Sequence, residues 1–195
     1  MHVFQAILSR RSVRAYLPHA LEREKLEQIL LAGTYAPSGG NNQSTHFLVL
    51  ENPQAIDRLR RTAVAALAEM TIQEGMYARL VTTIQQARRE GEHYDFTYGA
   101  PVFILLANKQ GYGNAMADCA LAAENMFLQA TELGVGSCYI NQVHWVTHHP
   151  RVREVLLELG MAPEEEILLG AVFGYSARGE LPPLKRFGNP NTYVP

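Results

Sequence analysis

Three arginines and a serine fall within five consecutive positions of the chain, in the stretch RRSVR at residues 10–14. If this stretch is extended, side chains alternate, so Arg10, Ser12 and Arg14 face one way at intervals of about 6.6 Å. Two guanidinium groups and a hydroxyl on one edge suit a small, elongated anion, because charge-assisted hydrogen bonds contribute about 1.5 to 3 kcal/mol each. In the alternative interpretation, Arg10 and Arg11 only complement the C-terminal dipole of a preceding helix and are otherwise solvated.

A second polar stretch, APSGGNNQ at residues 36–43, follows a helical pattern. Its two glycines let backbone approach a ligand closely, and the side chains of Ser38, Asn41 and Gln43 both donate and accept hydrogen bonds. Such a loop suits a flat heterocycle with mixed donor and acceptor edges. An ordinary helix C-cap and turn is the alternative, since Gly and Asn are the usual residues there.

The remaining candidate motifs are incomplete and do not indicate a function. GYGNAM and GVGSCY lack the third glycine of a dinucleotide fingerprint, and neither a phosphate-binding P-loop nor a GxSxG elbow is present. His144 and His148 are four residues apart, but no carboxylate lies between them as in HExxH, so we predict no metal site. Cys138, Asn141 and His144 resemble a thiol nucleophile with a base, a triplet that arises by chance in most chains.

Composition limits the remaining functions. The chain has 195 residues, of which 47% are hydrophobic and 18% charged, so residues 1–195 are expected to form one globular domain. A net charge of −2 argues against nucleic acid as a partner. The apolar runs are too short for a signal peptide or a membrane span, and the two cysteines form no CxxC pair. We therefore expect a cytoplasmic protein in which each cysteine is a small buried hydrophobe.

Periodicity and turn residues predict the elements that position these motifs. The pattern mixes strands and helices without strict βαβ alternation, which favours an α+β layered domain. The region 71–98 is expected to be a covering helix or excursion, and the Pro-rich C-terminal stretch an extended tail. Helices are predicted at about 2–9, 22–34, from Pro53 onward, at 114–133 and at 150–160, and strands in THFLVLE, APVFILLANK, GVGSCYI and EILLGAVFGY.

The helix predicted at 114–133 is apolar over most of its circumference. Ala120, Ala123 and Phe127 share one side, while Asp118 is one of its few polar residues. A helix of this kind either forms the centre of the core or packs in part against a second chain.

Five motifs, in this order and spacing, resemble the nitroreductase family of FMN-dependent oxidoreductases: RRSVRAY, LEQILLAGTYAPSGGNNQSTHFLVL, GAPVFILLA, DCALAAENMFLQATELGVGSCYI and LLGAVFGY…LPPLKR. They extend over most of the chain, and only about 55–98 carries no motif that can be placed. The resemblance implies a layered α+β fold, with a central mixed or antiparallel sheet flanked by helices. It also implies an intertwined homodimer with FMN at the subunit interface.

The same resemblance implies roles for individual residues. Arg10 and Ser12 would bind the phosphate and ribityl chain, Arg14 would reach the pyrimidine end of the flavin, and Arg11 would contribute mainly its backbone. A backbone N–H at Asn141 or Gln142 would lie near flavin N5. The full set of residues implied to bind the cofactor is Arg10, Arg11, Ser12, Arg14, Pro37, Ser38, Gly39, Asn41, Gln43, Tyr139, Ile140, Asn141, Gln142, Lys185 and Arg186.

The chain departs from the family pattern at two points. The family often continues its loop as NxQPW, whereas Ser44 and Thr45 follow Gln43 here, which is expected to reshape the neighbouring pocket. In the family, an Asn and a Lys on the helix after the first strand often reach the flavin pyrimidine. This chain has no such pair there, and Arg58 or Arg61 is the substitute that its sequence offers.

The implied activity is hydride transfer from NAD(P)H through flavin N5 to a small oxidised acceptor, such as a nitroaromatic, a quinone or a flavin, in a ping-pong cycle. No side chain is singled out as a catalytic acid. Three alternatives remain: a flavin carrier or sensor without turnover, a family member that removes halogen or cleaves flavin, and a cofactor-free structural protein.

Overall fold

The computed structural model describes residues 2–179 and 181–194. Within those residues the chain forms seven α-helices and four β-strands, together with two short 3₁₀ turns at Gly39–Asn41 and Gly91–His93. In chain order the elements are α1 (Val3–Ser9), α2 (Arg23–Thr34), β1 (His46–Leu50), α3 (Pro53–Glu69), α4 (Ala78–Glu90), β2 (Val102–Lys109), α5 (Ala115–Glu132), β3 (Gly136–Ile140), α6 (Gln142–Trp145), α7 (Pro150–Glu158) and β4 (Glu165–Gly174).

The four strands form one antiparallel sheet in the order β1-β2-β4-β3. The two central strands pair over their whole length, from Val102 opposite Phe173 to Lys109 opposite Glu165. Both are buried almost continuously, which explains why their sequences are unbroken apolar runs. The predicted α+β fold with a helix-flanked sheet is therefore confirmed.

Helices cover both faces of the sheet. In β2, Phe103 and Leu105 point into a core formed with α3, α6 and α7, whereas Ile104 and Leu106 point into a second core formed with α2 and α5. This alternation follows from the two-residue period of a strand. The arrangement leaves β1 and β3 as the edges of the sheet, and the motif-bearing segments adjoin these edges.

The buried residues of α5 differ from those that the sequence predicted. Asp118, expected among its polar positions, is only 3% exposed, whereas Ala120 is exposed. The side of α5 that carries Ala120, Ala123 and Phe127 is therefore only partly buried within the chain. The buried face instead follows the helical repeat that starts at Ala115 and includes Asp118.

Several apolar side chains remain exposed on the outer side of the molecule. Val3 on α1 is 73% exposed, Tyr35 at the end of α2 is 80% exposed, and Phe187 in the tail is 94% exposed. Leu121 adds to this surface from α5. A cavity of about 520 Å³ lies between α1, α2 and α5. It is lined by Val3, Ala6, Gln28, Leu31, Ala32, Tyr35, Asn125, Leu128, Gln129 and Glu132.

Smaller sequence predictions have different outcomes. Cys119 and Cys138 are free and buried, as predicted. The region 71–98 contributes α4, while the short helix α6 was not predicted. None of the helices in the described part of the chain is long and apolar enough to cross a membrane. That residues 1–195 form one domain stays a prediction.

We expect Leu105→Ala to lower the free energy of unfolding by about 2 to 5 kcal/mol, because Leu105 is fully buried in β2 and its truncation leaves a cavity. Urea unfolding at fixed protein concentration measures the change. The matched control is Leu157→Ala on α7, where the side chain is 39% exposed and the loss should be much smaller. Equal losses in the two variants would contradict the central position of β2.

Candidate functional site

The arginine-rich segment runs alongside the start of β3. Ser12 forms a parallel bridge with Ser137, and the Val13 N–H donates to the Ser137 carbonyl over 2.9 Å. Val13 is buried against the sheet, where a Cβ at Gly136 would lie only 2.8 Å from it. The absence of a side chain at Gly136 therefore lets residues 10–14 approach the edge of the sheet closely.

Positive charge collects beside this edge. Arg10 lies 3.5 Å from Glu124, but Arg11 and Arg14 have no ion-pair partner in the part of the chain that the structure describes. The buried Nε of Arg11 also lacks a hydrogen-bond partner there. Burial raises the pKa of the Cys138 thiol, and the nearby Arg14 and Arg10 oppose this rise. The edge therefore presents donors and positive charge that an anion would neutralise.

The loop at residues 36–43 has an unusual backbone. Gly40, Asn41 and Gln43 adopt positive φ angles of 59°, 56° and 49°. For Gln43 this left-handed conformation costs about 1–2 kcal/mol, and it costs Asn41 less, because asparagine adopts it more readily. The Gln43 N–H donates to Ser38 Oγ over 2.9 Å, and Gln43 Nε2 donates to Asn41 Oδ1 over 3.1 Å. The strained loop is thus closed on itself by the polar side chains that the sequence singled out.

Asp118 anchors this loop to α5. The Gly39 N–H donates to Asp118 Oδ1 over 3.0 Å, and the Tyr112 hydroxyl lies 3.0 Å from Oδ2 and 3.1 Å from the Gly39 carbonyl oxygen. A Cβ on Gly39 would lie 2.0 Å from Asn114 Nδ2 and 2.7 Å from the Tyr112 hydroxyl, so a side chain at that position would displace both groups. Sequence analysis missed this role of Asp118. The available signal was an acidic residue at helical spacing on an otherwise apolar face.

The segment Tyr139–Gln142 forms the end of β3 and the start of α6. Tyr139 is partly exposed and Ile140 is buried. The Asn141 N–H donates to Gln142 Oε1 over 3.1 Å, and Gln142 Nε2 donates to the Tyr94 hydroxyl over 2.9 Å. As the first residue of α6, Gln142 has a backbone N–H with no acceptor inside the helix.

Tyr94 was also missed by sequence analysis, because it lies in the region where no motif was placed. It is buried, and burial raises its pKa while the hydrogen bond with Gln142 opposes the rise. Through this hydrogen bond the region between α3 and β2, which contains Tyr94, holds the Gln142 side chain after β3 in place. Nothing in the spacing of the sequence around Tyr94 indicated it.

The predicted site residues form two separate groups in one chain. Residues 10–14 and 139–142 lie at the β3 edge, whereas residues 37–43 precede β1 at the opposite edge. Four inter-strand steps separate Ser12 from β1, a distance of roughly 19 Å across the sheet. The strand register also places Ser137 and His46 toward opposite ends of β4. A single chain therefore does not bring the two groups together.

A cavity of about 180 Å³ adjoins the loop and does not include the arginine-rich edge. It is lined by Gly33, Thr34, Ala36, Pro37, Ser38, Gln43, Thr45, Phe47, Asp118 and Ala122. Lys185 and Arg186 are exposed in the tail, and Lys185 Nζ lies 5.8 Å from the centroid of the Phe187 ring.

The other residues considered from the sequence have structural partners. Arg58 pairs with Glu158, and Arg61 pairs with Asp57 and Glu92. The histidines near α7 contact acceptors one by one: His144 lies near the Ile167 carbonyl, His148 near Glu166 and His149 near Glu69. Among residues 2–179 and 181–194, no three His, Cys, Asp or Glu side chains are grouped to hold a metal ion.

Three comparisons with known proteins all find similarity to nitroreductases or to a flavin reductase. Residues 7–175 match the model of a family described as the nitroreductase family. The structure is similar to that of a nitroreductase with bound FMN from Bacteroides fragilis, at 32% identity and a TM-score of 0.84, over 100% of this chain and 98% of that one.

Two curated relatives are more distant. A protein named FMN reductase (NADPH) from Bacillus subtilis is 25% identical over 98% of this chain and 74% of its own length. A nitroreductase named NfnB from Mycolicibacterium smegmatis is 27% identical over 87% of this chain and 81% of its own length.

We expect Asp118→Ala to release the 38–43 loop and to lower the free energy of unfolding by about 1 to 3 kcal/mol, because the Gly39 N–H loses its acceptor and the Tyr112 hydroxyl loses one of its two. Amide hydrogen exchange at Gly39 and urea unfolding measure the two effects. Glu154→Ala removes an exposed carboxylate from α7 and is the control. Unchanged exchange at Gly39 in Asp118→Ala would contradict the anchoring role.

Proposed function

The chain belongs to the nitroreductase family, and we propose that it is an FMN-dependent oxidoreductase that takes hydride from NAD(P)H and delivers it to a small oxidised acceptor. The observation that carries this proposal is the positive charge of Arg11 and Arg14 at the β3 edge, for which the described residues provide no ion-pair partner. The similar Bacteroides fragilis protein binds FMN, and the Bacillus subtilis relative is named for reduction of FMN with NADPH. Nitroaromatics, quinones and free flavins are the acceptor classes we propose.

The residues at this edge fit a flavin mononucleotide. Arg11 and Arg14, which have no ion-pair partner among the described residues, add positive charge to this edge. They thereby lower the cost of desolvating the doubly charged phosphate group of FMN. We assign Arg10 and Ser12 to the phosphate and ribityl chain and Arg14 to the pyrimidine end. There the positive charge of Arg14 favours the reduced, more negative ring. FMN, when bound, supplies the ring that accepts and donates hydride.

The hydrogen bonds after β3 favour one of the two candidate donors to flavin N5. The Asn141 N–H is already engaged by Gln142 Oε1, whereas the Gln142 N–H has no acceptor within α6. We therefore assign the Gln142 N–H to N5. Tyr94 holds the Gln142 side chain and thereby orients this backbone segment.

We further propose a homodimer in which each flavin site combines two chains. One chain separates the 10–14 edge from the 37–43 loop, so a second copy is required to supply the missing half of each site. The exposed apolar residues of α1, α2 and α5 and the cavity of about 520 Å³ between them support this assembly. The exposed tail would carry Lys185 and Arg186 to a phosphate at the interface.

A ping-pong cycle follows from the proposed site. NAD(P)H and the acceptor would occupy the same ring face in turn, since the sequence holds no complete dinucleotide fingerprint that would form a second nucleotide site. We also propose a cytoplasmic location, because both cysteines are free thiols.

The first experiment is the visible absorption spectrum of protein that has been supplemented with FMN and desalted. It is recorded anaerobically before and after addition of NADH and then of NADPH. We expect a retained flavin band that one of the nucleotides bleaches. A retained band that neither bleaches would contradict turnover and favour a flavin carrier, and no retained band would contradict the cofactor assignment.

We expect Arg14→Ala and Arg10→Ala each to raise the Kd for FMN by about 10- to 150-fold, because each removes a charge-assisted hydrogen bond worth about 1.5 to 3 kcal/mol. Quenching of flavin fluorescence on titration measures the Kd. Arg23→Ala on α2 is the matched control, since Arg23 pairs with Glu51 outside the proposed site. Wild-type affinity in Arg10→Ala would contradict the assignment of Arg10 to the phosphate, and wild-type affinity in Arg14→Ala would contradict the assignment of Arg14 to the pyrimidine end.

A mixing experiment tests the shared site directly. One variant carries Arg10→Ala with Arg14→Ala, and the other carries Ser38→Ala with Gln43→Ala. After unfolding and refolding together, random pairing puts one intact site in each mixed dimer, so we expect about a quarter of the wild-type sites to bind FMN. Each variant refolded alone is the control. Binding no better than the sum of the two controls would show that a site belongs to one chain.

A further inference from the structure

Arg60 on α3 is a cation outside the residues assigned to the flavin, and only 8% of it is exposed. We propose that Arg60 is a positioning residue for hydride transfer. Through Tyr94 it fixes the side-chain amide of Gln142, so that the Gln142 N–H and not the Asn141 N–H is free for flavin N5. The proposal rests on the proposed function and deepens it by naming a residue that acts on the site through others.

The guanidinium of Arg60 is held mainly by backbone carbonyls. Its Nη1 donates to the Glu92 carbonyl over 2.6 Å and to the Tyr94 carbonyl over 2.8 Å. Its Nη2 pairs with Asp57 over 2.5 Å, and Asp57 is its one carboxylate partner in the part of the chain that the structure describes. Apolar residues of similar volume often replace a buried ion pair without loss of stability. Stability alone therefore does not account for an arginine at this position.

The hydrogen bonds from Arg60 fix the backbone of Tyr94, and aromatic contacts fix its ring. The ring of Tyr94 lies edge-on to Phe96 at a centroid distance of 6.0 Å, and Phe96 lies edge-on to Phe103 of β2 at 6.4 Å. All three rings are buried. The Tyr94 hydroxyl therefore has a defined position relative to the central strands.

From this position the Tyr94 hydroxyl selects one orientation of the Gln142 amide. Gln142 Nε2 donates to the hydroxyl over 2.9 Å, while Gln142 Oε1 accepts from the Asn141 N–H over 3.1 Å. In the reversed orientation the NH₂ group of the amide would face the Asn141 N–H, and two donors would meet. The Asn141 N–H is thus occupied, and the Gln142 N–H, which has no acceptor within α6, stays free.

A single fixed donor matters for hydride transfer, because donors that are preorganised at the reacting atom lower the barrier and displaced ones lose this effect. If Arg60 or the Tyr94 hydroxyl is removed, the Gln142 side chain is free to leave the Asn141 N–H. Two neighbouring N–H groups would then compete for the same acceptor. The expected consequence is slower hydride transfer with little change in the binding of FMN.

The first test measures backbone amide exchange by NMR in the full-length, flavin-free protein. Arg60→Met keeps an apolar stem but removes the donors, and Tyr94→Phe removes only the hydroxyl. We expect each change to accelerate exchange of the Asn141 N–H by at least about fivefold, because its acceptor on Gln142 is no longer held. Unchanged exchange at Asn141 in either folded variant would overturn the proposal.

Arg88→Met is the matched control. Arg88 also donates to two backbone carbonyls, those of Ala68 and Met70, but it is exposed on α4. We expect exchange at Asn141 to stay as in the wild type. The same acceleration in Arg88→Met would show a general loosening of the fold and would overturn the proposal.

A double-mutant cycle tests whether the effect runs through the Gln142 side chain. Gln142→Leu removes the acceptor of the Asn141 N–H directly. Adding Arg60→Met to Gln142→Leu should then change exchange at Asn141 by less than about twofold, because the two changes break the same chain of contacts. Independent, additive effects would overturn the proposed route.

A conservative variant covers the case in which Arg60→Met does not fold, as judged by thermal unfolding. Arg60→Lys keeps the positive charge, but an ammonium group lacks the planar fork that reaches both carbonyls and Asp57. We expect it to accelerate exchange at Asn141 as Tyr94→Phe does. Wild-type exchange in a folded Arg60→Lys protein would overturn the proposal.

The functional test separates hydride transfer from cofactor binding. With FMN bound, Arg60→Met and Tyr94→Phe should slow bleaching by saturating NADH or NADPH by about tenfold, while the Kd for FMN changes by less than about threefold. Unchanged bleaching, or a change confined to the Kd, would overturn the positioning role. Failure of bleaching in the wild type would count against the proposed function. Normal wild-type bleaching with unchanged exchange at Asn141 in the variants would count only against Arg60.

Discussion

Burial of β2 and β4 on both faces is the constraint on which the rest of the structure depends. Two unbroken apolar strands can be satisfied only in the middle of a sheet that has helices on each side. β1 and β3 therefore form the two edges of the sheet, and the polar segments that adjoin them lie at these edges. The loop at 36–43 and the arginines at 10–14 are separated for this reason, and that separation leads to the proposal of a two-chain site.

Much of the fold could be predicted from residue patterns, because its signals are local. The unbroken apolar runs indicate the strands β2 and β4 directly, and the length of the helical pattern at residues 115–132 indicates α5. The four-residue helix α6 was missed, since an element of one turn has too few positions to show a period. Which positions of α5 are buried within the chain could not be predicted, because apolar residues surround most of the helix and leave little contrast between its faces.

The site was predictable where chemistry is concentrated in sequence and missed where it is made by distant contacts. RRSVR stands out because three cations are adjacent in the chain. Asp118 and Tyr94 act through partners that lie 79 and 48 residues away, at Gly39 and Gln142, and only the folded chain reveals these pairs. Arg10 occupies the C-cap position of α1, but its side chain lies beside Glu124, while Arg11 and Arg14 have no ion-pair partner among the described residues.

The division of the proposed site between the two edges of the sheet links cofactor supply to assembly. A ligand that touches both chains binds the dimer more tightly than the separate chains, so it adds RT ln(1 + [L]/Kd) to the stability of the pair. Flavin would then stabilise the dimer in addition to acting as a redox group. Under the proposed function, a shortage of FMN would therefore lower the fraction of chains that are paired at a given protein concentration.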